Sequence, residues 1–511
     1  MTRVAILGGG PAGLAAAEAA LAAGAEVTLL DEGARPGGQF WRHRPGLTDP
    51  RMQHGTRRFD ELLDALAGAE VHAGAAVWSV ELREPDGAGA AGGGSGWSDE
   101  AAGPIVLRAA VGPADGAGRR AVVVEADALV IATGAHDLAL PIPGWTLPGV
   151  TTAGAAQALA KRDGVSVGRR TLVAGAGPFL LPVAQSLALV GSAVVGVHEA
   201  SRVGALARGW LPKPWQLLGK SGELAGYAGA LARHRIPYRV GSGVVRVLGD
   251  ERVEGAVVAR LDGDWRPVPG TERVVECDAV ALGHGFTPRL EAALMLGCEV
   301  VGDRRGRFVL VDDAQRTTQP RVFAAGEVTG IGGADAALAE GAIAGFRAAG
   351  VAQEDPRLSG ALAVRDRMRR FARRLETAHG IRPGWTAWLE DDTIICRCEA
   401  VAKRAIVERA EVPLRAMRLA TRAGLGPCQA RTCGRAVEAI VAEARGATAS
   451  GPTAPEPLEG ASPQRAAGSA SAVTIAGPSA GASSGFDRRP LLAPVRLGEV
   501  GGSGRPGGGE N

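Results

Sequence analysis

Four cysteines toward the end of the sequence could supply four thiolates to one metal centre: Cys396-Arg397-Cys398 and, about thirty residues later, Cys428 and Cys433 with four residues between them. Both zinc and a [2Fe-2S] cluster accept four cysteines. Structural zinc sites favour ligand pairs two to four residues apart, and a Cys-x-Cys pair is unusual there. The spacing therefore favours [2Fe-2S], with zinc as the alternative. Gly424-Leu425-Gly426-Pro427, just before Cys428, offers backbone N–H groups to a cluster sulfur. Helices expected over about 402–410 and 434–444 can aim their N-termini at its negative charge. The other cysteines, Cys277 and Cys298, lie apart in apolar surroundings and read as small buried hydrophobes.

A second kind of chemistry sits at the start. Gly8-Gly9-Gly10-Pro11-Ala12-Gly13 has the spacing G-x-G-x-x-G, directly after a strand-like Val4-Ala5-Ile6-Leu7 and opening an alanine-rich helix to about Ala23. Gly8 allows the tight turn, Gly10 lets backbone N–H groups approach a pyrophosphate, and Gly13 lets helix and strand pack closely. The helix N-terminus, begun by Pro11 and Ala12, adds partial positive charge. An acid at the end of the next strand should accept ribose hydroxyls; Asp31 stands there, with Glu32 the nearby alternative. The pattern returns as Gly175-Ala176-Gly177-Pro178-Phe179-Leu180, after Thr171 to Ala174 and before Ala193 to Val197, with Glu199 at the acid position. Leucine replaces the third glycine, so this copy is either an NAD(P) site held differently or an inherited unit used as scaffold.

The elements that must position these loops are β-α-β units with small-residue helices and short, continuous apolar strands. Further strands are expected at 77–82, 105–111, 122–125, 128–131 and 307–311, and Gly87 to Gly96 reads as a surface insertion. An arginine-rich helix is expected over about Leu358 to Thr377, with a boundary at Pro383-Gly384. From about Thr448 the sequence becomes a Gly/Ser/Ala/Pro tail without the apolar content to fold alone, interrupted by Arg489 to Val495.

At 511 residues the chain is too long for one core. Its net charge of +3 gives no nucleic-acid footprint. Arg3 and the apolar stretch after it imitate a signal peptide, but cleavage would remove the glycine fingerprint. No stretch reaches the length of a membrane span, and the expected location is cytoplasmic. No Cys-x-x-Cys occurs in the nucleotide domains, which argues against disulfide-reductase chemistry. No His, Lys or carboxylate pair presents itself as a general base, so the catalytic residues are unknown.

Gly37-Gly38-Gln39, Ile131-Ala132-Thr133-Gly134 and Ala325-Gly326-Glu327, added to the fingerprint, make the chain resemble the two-dinucleotide-binding-domain flavoproteins, the superfamily of glutathione and thioredoxin reductases. The resemblance implies FAD, held by the first loop with Asp31, Gly38 and Gln39. It also implies a crossover at Thr133-Gly134 into the second domain, and a place beside the flavin ribityl and phosphates for Glu327, where aspartate is usual. Cys396-Arg397-Cys398-Glu399 and Thr421 to Cys433 resemble the bacterioferritin-associated-ferredoxin-like [2Fe-2S] domain, with Ala430 in place of a frequent glycine.

Together with Pro36 to Gln39, Gly175 to Pro182, Gly283-His284-Gly285-Phe286-Thr287-Pro288 and Gly330 to Ala334, residues 1 to about 445 resemble the large (alpha) subunit of heteromeric dye-linked amino-acid and amine dehydrogenases. That group includes the B subunit of hydrogen cyanide synthase, the A subunit of opine oxidase, and the alpha subunits of proline-, hydroxyproline- and sarcosine-oxidising enzymes. The expected class is α/β: two Rossmann-like dinucleotide-binding domains plus a small α-rich C-terminal [2Fe-2S] domain. The expected limits are 1–147 and 284–352 for the FAD domain, 148–283 for the NAD(P)-like domain, 353–384 for a helical linker, 385–446 for the cluster domain and 447–511 for the tail. The resemblance implies an electron relay, with the carbon–nitrogen bond oxidised in an amino-acid-oxidase-like partner subunit. A small [2Fe-2S] ferredoxin-like subunit is a further expected partner. A stand-alone NAD(P)H:acceptor oxidoreductase and a non-catalytic scaffold are the alternatives. His284, where that group often has tyrosine, is assigned no catalysis.

Overall fold

Strands that bury both faces must be apolar along their whole length, and such runs form parallel sheets covered by helices. The computed structural model describes residues 1–42, 51–83, 103–114, 116, 118–212, 214, 221–303 and 306–446. In it, Arg3–Leu7, Glu26–Asp31, Glu70–Ala73, Ala128–Ile131 and Val322–Ala324 form one parallel sheet. Its order runs from Val322–Ala324 through Ala128–Ile131, Arg3–Leu7 and Glu26–Asp31 to Glu70–Ala73. A second five-stranded parallel sheet runs Tyr238–Val240, Ala193–Glu199, Arg170–Gly175, Ala279–Gly283, Val150–Thr152. In both, the glycine-loop strand is central, so each loop opens at the carboxyl end of its sheet, where α/β folds bind ligands.

Each sheet carries an antiparallel three-stranded meander. One is Ala75–Leu82, Ile105–Val111 and Arg120–Ala126; the other is Ser242–Leu248, Gly255–Arg260 and Arg273–Glu276. The chain crosses between the sheets twice, on Ala135–Asp137 and Phe286–Pro288, which pair antiparallel. The first sheet is covered by Pro11–Ala22 and Ala334–Ala348. These helices approach so closely that a Cβ on Gly341 would strike the backbone of Ala12, which explains why both are built of alanine and glycine.

The chain divides into two compact units, and the second, which holds the four cysteines, begins at Ile395. The boundary expected at Pro383-Gly384 thus lies about ten residues too early. Gly384 N donates to Asp264 O at 2.8 Å. Trp388 stacks on Trp265 with centroids 6.2 Å apart and donates to its carbonyl. Residues 383–388 therefore complete the larger unit.

The linker helix spans Ser359–His379. The smaller unit has the helices Lys403–Val407, Leu414–Thr421 and Gly434–Ala444. The first is shorter than the expected 402–410, and Pro413 caps the start of the next. The glycine stretch 87–96 and the tail, with Arg489 to Val495, lie outside the described residues.

Candidate functional site

The first glycine loop is held open by backbone bonds. Gly8 N donates to Leu30 O at 2.8 Å and Gly37 N donates to Gly9 O at 2.7 Å, which folds Gly38 against Gly10. Asp31, buried at the strand end, accepts from the backbone N–H groups of Gly9 and Gly33. Burial pushes its carboxyl up, and those two amides pull against the shift. Pro11 opens the helix with Gly10 as its cap residue, and Gly10 N has no acceptor among the described residues. An unused amide at a helix N-terminus is what an anionic pyrophosphate needs.

Glu32 is exposed and pairs with Arg289 at 2.7 Å. Arg289 N donates to Gly134 O, and the Thr133 hydroxyl donates to Arg289 O at 2.8 Å. The Thr133-Gly134 turn is thereby tied to the returning crossover, which delivers a guanidinium beside the acid. Nothing in the sequence marks Arg289; only the pairing of the two crossover strands brings it there. Gln39 is exposed on the turn after Gly38. Beside it, Lys161 of the helix Ala153–Asp163 lies over the Phe40 ring, 5.9 Å from its centroid, and burial lowers its ammonium to about 8.

At the far edge of the sheet, Gly326 N donates to the buried Glu340 at 3.0 Å, the Thr329 hydroxyl to the same oxygen at 2.7 Å, and Arg369 to its other oxygen at 3.0 Å. This network fixes the turn on which Glu327 stands. Glu327 itself has no hydrogen-bond partner among the described residues, and burial alone pushes its carboxyl up to about 7. A desolvated, unpaired carboxylate is costly and fits a ligand that donates hydroxyls.

A carboxyl raised on folding binds its proton more tightly in the folded chain than in the unfolded one. It therefore takes stability away as pH rises from the ordinary carboxyl range through about 7. Glu327→Gln is expected to stabilise the flavin-free protein by about 1–3 kcal/mol near pH 8 and to change nothing near pH 4. Thermal melts at the two pH values check this, and an equal shift at both would rule out the raised carboxyl.

The second loop is arranged differently. Its helix begins only at Leu180, and Gly177 N donates to Glu199 at 2.8 Å. Glu199, fully buried, also accepts from Ser201 N at 2.9 Å and the Tyr238 hydroxyl at 3.3 Å, and faces the His379 ring nitrogen at 3.3 Å. Burial works against its charge, but His379 and Ser201 hold the carboxyl below its ordinary range. His284 lies beside the stacked pair of Trp388 and Trp265, with ring centroids 5.8 and 6.2 Å away. Burial lowers its imidazole to about 4, so it is neutral at physiological pH.

In the smaller unit the thiols of Cys396, Cys433, Cys428 and Cys398 interact in that order. The nearness of Cys433 lowers the Cys396 thiol to about 6 and the Cys428 thiol to about 4, while the thiols of Cys433 and Cys398 are raised. Gly424 N donates to the Cys396 sulfur at 3.5 Å. Among the described residues no group of three or more His, Cys, Asp or Glu side chains is preassembled around a metal position. Cys277 and Cys298 are buried, their thiols pushed up to about 11 by burial, as expected of packing residues. Among the described residues no helix is long and apolar enough to cross a membrane.

The model of the pyridine nucleotide-disulphide oxidoreductase family matches residues 2–341. The hydrogen cyanide synthase subunit HcnB of Pseudomonas aeruginosa is 34% identical over 457 residues, covering 84% of this chain and 90% of that protein. The A subunit of opine oxidase from Agrobacterium tumefaciens is 32% identical over 464 residues, covering 86% of each. A solved L-proline dehydrogenase from P. horikoshii aligns with a TM-score of 0.58 at 19% identity, covering 87% of this chain and 74% of that one, a likeness of fold.

Proposed function

We propose, on the premise that the chain belongs to the pyridine nucleotide-disulphide oxidoreductase family and is an FAD-dependent oxidoreductase, that it is the electron-transfer subunit of a heteromeric amino-acid or amine dehydrogenase. The observation that carries this reading is the similarity to HcnB and to the opine oxidase A subunit over more than four fifths of the chain, well past the residues that the family model matches. FAD would accept an electron pair, and a [2Fe-2S] cluster would pass electrons singly.

The chain's own residues bind and orient. Gly10 N and the start of Pro11–Ala22 would hold the pyrophosphate, and Asp31 keeps the loop in shape through Gly9. Gly8, Ala12 and Gly13 set the approach of helix to strand. Thr133, Gly134 and Arg289 would close the site toward Glu32, and Glu327 on the Gly326 turn would take ribityl hydroxyls. Gly38 and Gln39 would face the ring system. Cys396, Cys398, Cys428 and Cys433 would ligate the irons; the Gly424 amide given to the Cys396 sulfur and the lowered thiols of Cys396 and Cys428 support this donor set.

Oxidation of the carbon–nitrogen bond belongs to an amino-acid-oxidase-like partner, with hydroxyproline, proline, sarcosine, glycine or an opine as substrate. The further partner is a small ferredoxin-like subunit. The location is cytoplasmic. Co-purification with the partner, followed by dye-reduction assays across those substrates, tests the reading. The isolated chain is expected to bind FAD and iron but to reduce dye only when the partner is added. Dye reduction by the isolated chain with NADH would favour the stand-alone NAD(P)H oxidoreductase instead.

A further inference from the structure

The two glycine loops are built on the same plan, each giving one backbone amide to the acid at the end of the next strand, but they give different amides: Gly9 N goes to Asp31 and Gly177 N to Glu199. In the first, the amide at the second motif glycine, Gly10, has no protein acceptor among the described residues. In the second, the equivalent Gly177 N is spent on Glu199 at 2.8 Å. A carboxylate offers about four lone-pair positions, and Glu199 meets four donors from within the chain: Gly177 N, Ser201 N, the Tyr238 hydroxyl and the His379 ring. Three of them, Gly177 N, the Tyr238 hydroxyl and the His379 ring, converge on Oε2, which has no acceptor capacity left for a ribose, and Ser201 N takes Oε1.

What covers this loop is also on the chain. His379, the last residue of the linker helix, is the nearest side chain to the space a Cβ on Gly177 would occupy. The helix is fastened along its length. In its first half and at its middle, Arg365 donates to Asp313 O and Arg369 holds Glu340 and Gln315. Toward its end, Arg374 donates to Gly209 O at 2.9 Å, Ala378 packs directly on Gly209, and Trp210 meets the rings of Phe371 and His379 at 5.4 and 6.2 Å.

We propose that the second glycine loop binds the chain's own His379, through Glu199, in the place where a dinucleotide would lie, and that this domain therefore takes no pyridine nucleotide. The linker helix is then a strap, anchored on one nucleotide domain by Arg369 and on the other by His379. Leu180, buried at the third glycine position, suits such a unit, because no ligand needs the close helix-to-strand approach that glycine allows.

The inference goes beyond the proposed function and is tested apart from it: it is read on the isolated full-length chain, whereas electron transfer is read only with the partner. Equilibrium dialysis of the FAD-loaded chain against NADH is expected to show no saturable binding. Hydrogen exchange at the Gly177 and Ser201 amides is expected to be at least about tenfold slower in the unaltered chain than in His379→Ala. Saturable NADH binding, or amide exchange indifferent to His379, overturns the proposal. The dialysis requires no variant and decides the question even if His379→Ala fails to fold.

Discussion

Gly13→Ala is expected to leave the protein without bound FAD. Gly13 sits one turn into the first helix, and a Cβ there would land on the carbonyl oxygen of Gly8, with the Ile6 side chain just behind it. Neither can yield: Gly8 is pinned through its amide to Leu30 O, and Ile6 is fully buried in the central strand. The helix must move away from the sheet. Overpacking of this kind costs about 1–3 kcal/mol in the core. The move also carries Gly10 N and the helix N-terminus away from the pyrophosphate position, where each hydrogen bond to a charged group is worth about 1.5–3 kcal/mol.

The two losses together predict a fall in FAD affinity of at least about a hundredfold, measured as flavin content after dialysis and by titration of the flavin-free protein. Gly360→Ala is the control. That position lies in the linker helix with open space around it, and alanine there is expected to leave flavin content unchanged. Retention of flavin by Gly13→Ala at the level of this control would remove the first glycine loop from the proposed site.

What is legible in the sequence of this site is local, and what is not is distant. The fingerprint, Asp31 and the cysteine pairs lie within a few residues of their neighbours, so turn, helix start and ligand spacing can be read directly. Glu199 ends its strand, as its place in the repeated pattern implies. Its partner His379 lies 180 residues further on and is brought there by a helix whose arginines carry no sign of their targets. Arg289 reaches Glu32 across a still longer gap of 257 residues.

The boundary of the smaller unit escapes the sequence for the same reason. Pro383-Gly384 punctuates the chain locally, yet the distant tryptophan that receives Trp388 cannot be inferred from the punctuation. Helices such as Thr56–Ala65 and Leu414–Thr421 give no clear signal, because short amphipathic segments rich in arginine resemble solvated loops until the surface they cover is known.

Cys433→Ser is the sharpest test of the cysteine unit. Cys433 is buried at the cap of the helix Gly434–Ala444, where solvent cannot take the place of its sulfur. Serine is close in size but a poor soft ligand for iron, and the variant is expected to lose the iron, the acid-labile sulfide and the electron paramagnetic resonance signal of the reduced cluster.

FAD content should stay at the unaltered level, because Cys433 belongs to the unit that begins at Ile395. Metal binding in small sites is folding free energy, with apparent values of about 10–16 kcal/mol for structural zinc. The smaller unit is therefore also expected to lose protease resistance, and chelation of the unaltered protein should reproduce that loss. Cys277→Ser is the matched control: an equally buried thiol with its pKa pushed up to about 11, outside the cluster set, whose replacement should spare the iron. Two outcomes separate the alternatives. Zinc without sulfide in the unaltered protein would make the unit structural, and electrons would then have to leave the flavin by another route. Iron retained by Cys433→Ser would mean that the four cysteines are not the ligands.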